Sequence, residues 1–340
     1  MTRNKTLGRC GVALLSAVAA VSLAGCSNPV SAIRQTFGTP SVAEARAKQA
    51  ASVSAQVSTP AIIKQGTLTV GLDTSSSAPM CVTSQDGTFQ GYDVDMAYAI
   101  ADELGLDVEF VSVTNVSQAL GQTCDVVMGA SASGTLGGPP GSGSGAAAVV
   151  GAYAEDAVGF FHKGGEQVAA KQDLVGKTIG VQDGSTSQQL LKRSDLEARQ
   201  ESFKNLNDAF DALEQGIVDY VLCDAFSGAY LQSAYTDIAF CGSFDVPSAV
   251  GVGVAATNTE LQTVVKTAVD KVTSGGVAQI VRAKWLGGLN QLSDSSQVSG
   301  IEVSAGTVEG AASDTAEVEG GTSGVQDGST AGANAADIAG

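Results

Sequence analysis

Two stretches of this chain repeat one pattern, and that pattern narrows the fold to a small class. Ala119-Leu-Gly-Gln-Thr-Cys-Asp125-Val-Val-Met128 runs parallel to Ala212-Leu-Glu-Gln-Gly-Ile-Val-Asp219-Tyr-Val-Leu222. Each reads as a helix end, a short loop, an aspartate and an apolar strand. Two such units imply two similar α/β lobes. The surrounding sequence agrees. Thr67–Gly71 reads as a strand, and Tyr92–Leu104 as a helix with Met96, Ile100 and Leu104 on one stripe, stopped by Gly105. Asp107–Val113 alternates as a strand, and Lys177–Val181 is another, followed by a helix over Ser185–Arg193. Asp208–Gln215 reads as a helix ending at Gly216, and Val218–Cys223 as the strand after it. Strands separated by helices indicate mainly parallel sheets. Ligands of such sheets sit beyond the carboxyl ends of the strands, and a cleft between two lobes is the default site.

The alternation occupies about residues 61–288 of the 340. Composition explains the remainder. Residues 27–60 are Ala/Ser/Val/Gln-rich with little hydrophobic bulk and read as a flexible tether. Residues 289–340 read as a disordered acidic tail: from 290 onward they carry eight acids, no Lys or Arg and no aromatic residue. Such a segment cannot bury enough apolar surface to offset its ordering entropy. The string GVQDGST occurs at 180–186 and again at 324–330, which low complexity accounts for. With 18 Lys+Arg against 35 Asp+Glu, the net charge of −17 argues against a nucleic-acid partner. One histidine excludes a multi-histidine metal site, and neither a metal nor a cofactor is expected.

The N-terminus reads as a processing segment. Arg3, Lys5 and Arg9 precede the uncharged apolar run Gly11–Gly25, too short to span a bilayer and right for a signal core. It ends in Leu23-Ala24-Gly25-Cys26, which resembles a bacterial lipoprotein signal with Cys26 as the lipidated residue. Residues 1–25 are then a removed signal peptide, and the mature chain is held to the extracytoplasmic face of the membrane by its lipid. Cys81, Cys124, Cys223 and Cys241 remain. In an exported chain four cysteines read as two disulfides with three connectivities.

A run of motifs resembles the bacterial family 3 extracellular solute-binding proteins, mostly amino-acid receptors of ABC importers. It includes Gly66–Asp73 with Ala78-Pro79, Gly91-Tyr-Asp-Val-Asp-Met-Ala97, and Asp173–Gln182 with Gly184-Ser185-Thr186. Ala212-Leu213 through Gly216, Asp219 and Asp224 follow, then Gly275-Gly276, Ile280 and Lys284-Trp-Leu-Gly287. The motifs keep the family's order over about 225 residues. The resemblance implies a two-lobed periplasmic-binding-protein-like (type II) α/β fold with two crossover strands and a hinge. The crossings are expected near Val158–His162 and Val250–Ala255. Lobe I is then 61–157 plus 249–288, and lobe II is 158–248. A disulfide between lobes would hinder hinge closure, so this split implies the pairs Cys81–Cys124 and Cys223–Cys241. The expected partners are a small-molecule solute and an ABC permease, with the chain monomeric.

The family's receptors hold a ligand carboxylate with a lobe I arginine and a helix-start amide nest in lobe II, and the ammonium with a lobe II acid. Here Gly184-Ser185-Thr186 opens a helix whose free N–H groups suit an anion, or form a simple N-cap. Asp224 stands where the family places its ammonium acceptor. The arginine is missing: no Arg lies between Arg46 and Arg193, and no Lys between Lys64 and Lys163. The family's cationic segment is replaced by a Gly/Ser/Pro-rich loop from Ser131, and residues 65–162 carry eleven acids, among them Asp73, Asp86, Asp93 and Asp95. Bidentate carboxylate recognition needs a guanidinium fork. The expected ligand set is therefore Asp73, Ser131 and Ser133 with Ser185, Thr186 and Asp224. Such a polar cleft suits a cationic or zwitterionic solute. The rival readings are a surface lipoprotein that keeps the fold without transport and, less favoured, an enzyme, since some dehydratases share the fold. His162, the only imidazole, lies beside Phe160-Phe161 and reads as structural, so the chain is read as a non-enzyme.

Overall fold

A computed structural model of the chain describes residues 53–74, 78–131, 147–164 and 167–304. Strands are numbered in chain order: β1 (Thr67–Leu72), β2 (Val82–Thr83), β3 (Phe89–Gln90), β4 (Asp107–Ser112), β5 (Val126–Ser131), β6 (Ala147–Asp156) and β7 (Val158–Lys163). They continue with β8 (Thr178–Gln182), β9 (Arg199–Phe203), β10 (Tyr220–Asp224), β11 (Ile238–Ser243) and β12 (Ser248–Ala255). The helices are α1 (Tyr92–Leu104), α2 (Val116–Ala119), α3 (Thr186–Arg193), α4 (Leu206–Glu214), α5 (Ala225–Gln232), α6 (Thr259–Ser274) and α7 (Val277–Leu286).

The strands form two five-stranded sheets, ordered β4-β1-β5-β12-β6 and β9-β8-β10-β7-β11, beside the small hairpin β2-β3. In the first sheet β1 runs parallel to β4 and β5, while β12 is antiparallel to β5 and β6. The second sheet repeats this plan: β8 is parallel to β9 and β10, and β7 is antiparallel to β10 and β11. The repeated sequence units thus occupy equivalent places, β5 and β10 at the centre of each sheet. Asp125 and Asp219 do equivalent work at the strand entrances. Asp125 accepts the N–H groups of Ile63 and Thr69, each at 2.8 Å, and Asp219 accepts that of Thr178 at 2.8 Å.

Local sequence explains the helices. In α1 the stripe Met96, Ile100 and Leu104 is fully buried, and each such side chain contributes about 1.5–3 kcal/mol. Gly105 ends the helix at φ 67° and donates its N–H to the carbonyls of Ala101 and Asp102. A side chain at this left-handed position would also meet the backbone of Val53 and Ser54. Helices α1, α6 and α7 cover one face of the first sheet, joining Met96 and Ile100 to Leu68, Val70, Val265 and Val269 in one core. Phe226 of α5 enters the same core and stacks on Tyr92 at 6.2 Å. The second sheet has a core on each face, one around Phe160, Ile179 and Leu222, the other around Phe161, Phe210 and Val221.

Several expectations are corrected. The chain passes between the sheets at Ala157 and again between Ser243 and Ser248, ahead of the expected crossings. The first part of the expected tail is packed. Leu289, Leu292 and Val298 are buried, and the segment bridges to the second-sheet side at Ser243–Gln297, Ala170–Ser299 and Ser194–Val303. It is a third connection between the sheets, missed because its apolar residues are sparse and meet their partners only in three dimensions. The tether ends earlier than expected, since Val57 is buried and Gln56 N–H bonds Leu104 O at 3.0 Å. Residues 147–150, read as the end of a loop, begin β6, where pairing with β12 overrides their weak pattern.

The disulfides are also corrected: Cys81, Cys124, Cys223 and Cys241 are buried and none is joined in a disulfide. Cys223 on β10 and Cys241 on β11 are separated by β7 and belong to opposite faces of the sheet. Two strand spacings, about 9.5 Å, exceed the roughly 7 Å Cα limit for a bridge. Cys81 and Cys124 likewise belong to different cores, of α1 and of α2. Burial pushes the thiols of Cys81, Cys124 and Cys241 up to about 12, which makes them inert packing groups. Cys26 and the signal segment lie outside the described residues.

Candidate functional site

The parallel strands set the site. β1 and β5 run the same way in adjacent positions, so Asp73, just beyond β1, and Ser131, the last residue of β5, share one edge of the first sheet. β8 and β10 do the same in the second sheet and bring the start of α3 and Asp224 to one edge. These are the carboxyl ends of the strands in both sheets. Ser133 lies outside the described residues, as do residues 75–77 where the family's receptors carry an aromatic group.

Each described candidate has a defined setting. Asp73 is partly exposed, and Ser131 is 1 % exposed. Ser185 is completely buried, and its Oγ accepts the Gln188 N–H at 3.0 Å, so its side chain is an N-cap. Thr186 is partly exposed in the first turn of α3, where backbone N–H groups have no intrahelical acceptor. Asp224 is partly exposed and caps α5, accepting Ser227 N–H at 2.7 Å. It also contacts Asp156 through a carboxyl–carboxyl hydrogen bond.

Sequence reasoning did not single out the network beside Asp73. The buried Asp93 accepts the Tyr153 hydroxyl at 2.6 Å, and the same oxygen accepts Gly129 N–H at 2.7 Å. Burial pushes the Asp93 carboxyl up to about 7, partly offset by Tyr153. The signal was present in Gly91-Tyr92-Asp93, but its partner lies 60 residues away. Asp95, two residues on, has a structural role. It accepts Lys284 Nζ at 2.6 Å and Trp285 Nε1 at 2.7 Å, so the Gly91–Ala97 motif and the closing Lys284–Gly287 motif meet. Asp86 caps a turn through Ser84 and Thr88, whose hydrogen bonds hold its carboxyl down at about 2.

Among the described residues, the cations near the first sheet include Lys64, which pairs with Glu109 of β4 at 2.8 Å, and those of α6 and α7. Arg282 donates to the carbonyls of Leu289 and Asn290, fixing the turn after α7. His162 lies on β7 with Nδ1 2.8 Å from Asp219 O and its ring stacked on Tyr220 at 4.7 Å, a packed position. Among the described residues there is no cluster of metal-binding side chains, and no helix is long and apolar enough to cross a membrane. A cavity of about 440 Å³ lies away from these strand ends, between β11 and the segment after α7, lined by uncharged groups such as Gln167, Gln232 and Asn290.

Two repeated sheets joined by crossovers, with polar groups gathered at matching strand ends, make a two-lobed α/β fold of the periplasmic-binding-protein (type II) kind. Residues 68–133 match the family model "Bacterial extracellular solute-binding proteins, family 3", the family that the motifs resemble. Solved structures share the fold. An ancestral cationic amino acid solute binding protein is 26 % identical, with a TM-score of 0.54, covering 65 % of this chain and 96 % of that one. A polar amino acid ABC uptake transporter substrate binding protein from Streptococcus thermophilus is 19 % identical, with a TM-score of 0.56 and coverages of 68 % and 88 %. The L-cystine solute receptor of Neisseria gonorrhoeae, in an unliganded open form, is 20 % identical, with a TM-score of 0.55 and coverages of 68 % and 95 %. A search of curated proteins found no match. The chain is thus similar in fold and family to amino-acid solute-binding proteins.

Proposed function

We propose that this is a lipid-anchored, extracytoplasmic solute-binding protein that delivers a small cationic amino acid or related amine to an ABC importer. The observation that carries the reading is the charge at the strand ends. Asp73 and Asp224 stand there, and no Lys or Arg occurs from 65 to 162 to clamp a carboxylate. The likeness to an ancestral cationic amino acid binder supports the same ligand class. In this reading Asp224 and Asp73 receive ammonium groups, Ser131 and Ser133 add neutral hydrogen bonds, and a ligand carboxylate rests on backbone N–H groups around Ser185 and Thr186. Lobe I is built on the first sheet and lobe II on the second, divided at Ala157 and between Ser243 and Ser248, and closure brings the two strand-end edges together. Cys26 carries the lipid after removal of residues 1–25, and the chain acts as a monomer.

Calorimetry with lysine, arginine, putrescine, glutamine and glutamate tests this. The cationic ligands are expected to bind at least tenfold more tightly than glutamate, and Asp224→Asn to weaken them by ten- to a hundredfold. Preferential binding of glutamate would sink the proposal. The second reading, a lipoprotein that keeps the fold without transport, draws on the engagement of Ser185 and Asp224 in capping. Thermal stabilisation by any of these solutes counts against it.

A further inference from the structure

Three carboxyl groups meet where the chain first passes between the sheets. Asp156 ends β6, is 7 % exposed, and accepts Ala157 N–H at 2.8 Å. Asp224 ends β10, on the other sheet, and faces Val158 in the β10–β7 ladder. Ala225 N–H donates to Ala157 O at 2.9 Å, so the two segments run side by side and the carboxyl groups of Asp156 and Asp224 touch. Asp245, in the second crossover, accepts Val158 N–H at 2.8 Å. Two carboxylates hydrogen-bond to each other only when one of them holds a proton.

The surroundings offer no substitute for that proton. The charged groups acting on Asp156 among the described residues are Asp224 from β10 and Asp245 from the β11–β12 connection, both acids. Arg282 is engaged elsewhere: it faces Tyr92 and Glu155 and donates to the carbonyls of Leu289 and Asn290. We propose that the Asp156 carboxyl keeps its proton where it meets Asp224 at the first crossover in the ligand-free protein, and that an ammonium group bound at Asp224 displaces this proton to solvent. The second half of the proposal rests on the cationic-ligand reading above; the first half does not.

The exchange balances. With Asp156 protonated the two carboxyls carry one negative charge, and with the proton gone and one ammonium bound they also carry one. A neutral solute cannot replace the proton without leaving two anions in contact, one of them buried, so Asp156 is a positioning residue that selects for cations through Asp224. Burial, reinforced by Asp224, pushes the Asp156 carboxyl well above its usual range, and burial pushes Asp245 up to about 6. The linkage has a definite sign. At pH values below the Asp156 titration, cation affinity falls by up to about tenfold per pH unit as pH drops, because the proton competes.

Two measurements test this. In ligand-free protein labelled at the aspartate carboxyl carbons, the Asp156 resonance is expected to titrate well above the ordinary carboxylate range, and Asp224→Asn to lower that titration. Titration of Asp156 in the ordinary carboxylate range would overturn the held proton. Lysine binding is then measured by calorimetry in phosphate and in Tris, below the Asp156 titration. Release of close to one proton per lysine, lost in Asp156→Asn and kept in Asp245→Asn, is the expected result. Binding without proton release overturns the exchange. If no cation binds while Asp156 titrates high, the cationic-ligand reading and the exchange fall, and the held proton stands.

Discussion

The two sheets share one strand plan and differ in how they hold their central strands. In the first, Asp125 is 3 % exposed and takes two backbone N–H groups, from Ile63 and Thr69. In the second, Asp219 is half-buried and takes one backbone N–H through its side chain, from Thr178, while its carbonyl meets His162. The cores differ too. Phe160, Phe161, Phe210 and Phe244 fill the second sheet's faces, whereas the first sheet's core is mostly aliphatic, with Tyr92 packed between Tyr153 and Phe226. The same topology thus has the deeper polar anchor on one side and the larger share of aromatic packing on the other.

That contrast can be broken from either side. The largest effect is expected from Phe161→Ala, which empties the packing against Phe210, Phe240 and Gly228 and costs about 3–5 kcal/mol in chemical denaturation. Asp125→Ala leaves two backbone donors short of a partner and costs about 2–4 kcal/mol; Asp219→Ala strands one and costs about 1–2. Equal losses at the two positions would erase the distinction drawn between the sheets.

Acidity sharpens it further. Asp93 titrates at about 7 and Asp245 at about 6, both raised mainly by burial. The folded protein thus holds protons that the unfolded chain releases near 4. Their stabilisation is complete below the ordinary carboxylate range and is lost as pH rises through 6 and 7. Denaturation midpoints are expected to fall between pH 5.5 and pH 8, by on the order of 1–2 kcal/mol, and Asp93→Asn to flatten the upper part of that slope. A midpoint that rises over this interval would contradict the assignment. The smallest effect belongs to Lys284→Ala. Its pair with Asp95 is largely exposed, and Trp285 still bonds the same carboxylate, so the loss is about 0.5 kcal/mol.

Much of this molecule was legible in the sequence because its signals are local. The α1 stripe and its Gly105 stop fix a helix whose observed bounds, Tyr92–Leu104, are those read from periodicity. The paired units around Asp125 and Asp219 announced two equivalent sheets, and the absence of Lys and Arg from 65 to 162 needed only counting. Of the site, the strand-end positions of Asp73, Ser131 and Asp224 followed from the parallel plan. What they touch did not. For Ser185 the Gly-Ser-Thr motif left an anion site and a simple N-cap both open, and its side chain is a buried cap, because α3 places its Oγ against Gln188 N–H.

Tertiary structure decided the rest, for one physical reason: contacts between groups far apart in sequence depend on strand order and face. Strand β7 between β10 and β11 keeps Cys223 from Cys241, although their spacing allows a bridge. The turn after α7, held by Arg282, carries Leu289 to Val298 back to the second sheet, although composition there argues for disorder. The same folding sets Asp156 against Asp224, 68 residues apart. The sequence determined which charges the chain carries and which segments form strands and helices. The packing of two sheets around a crossover determined which of those charges meet.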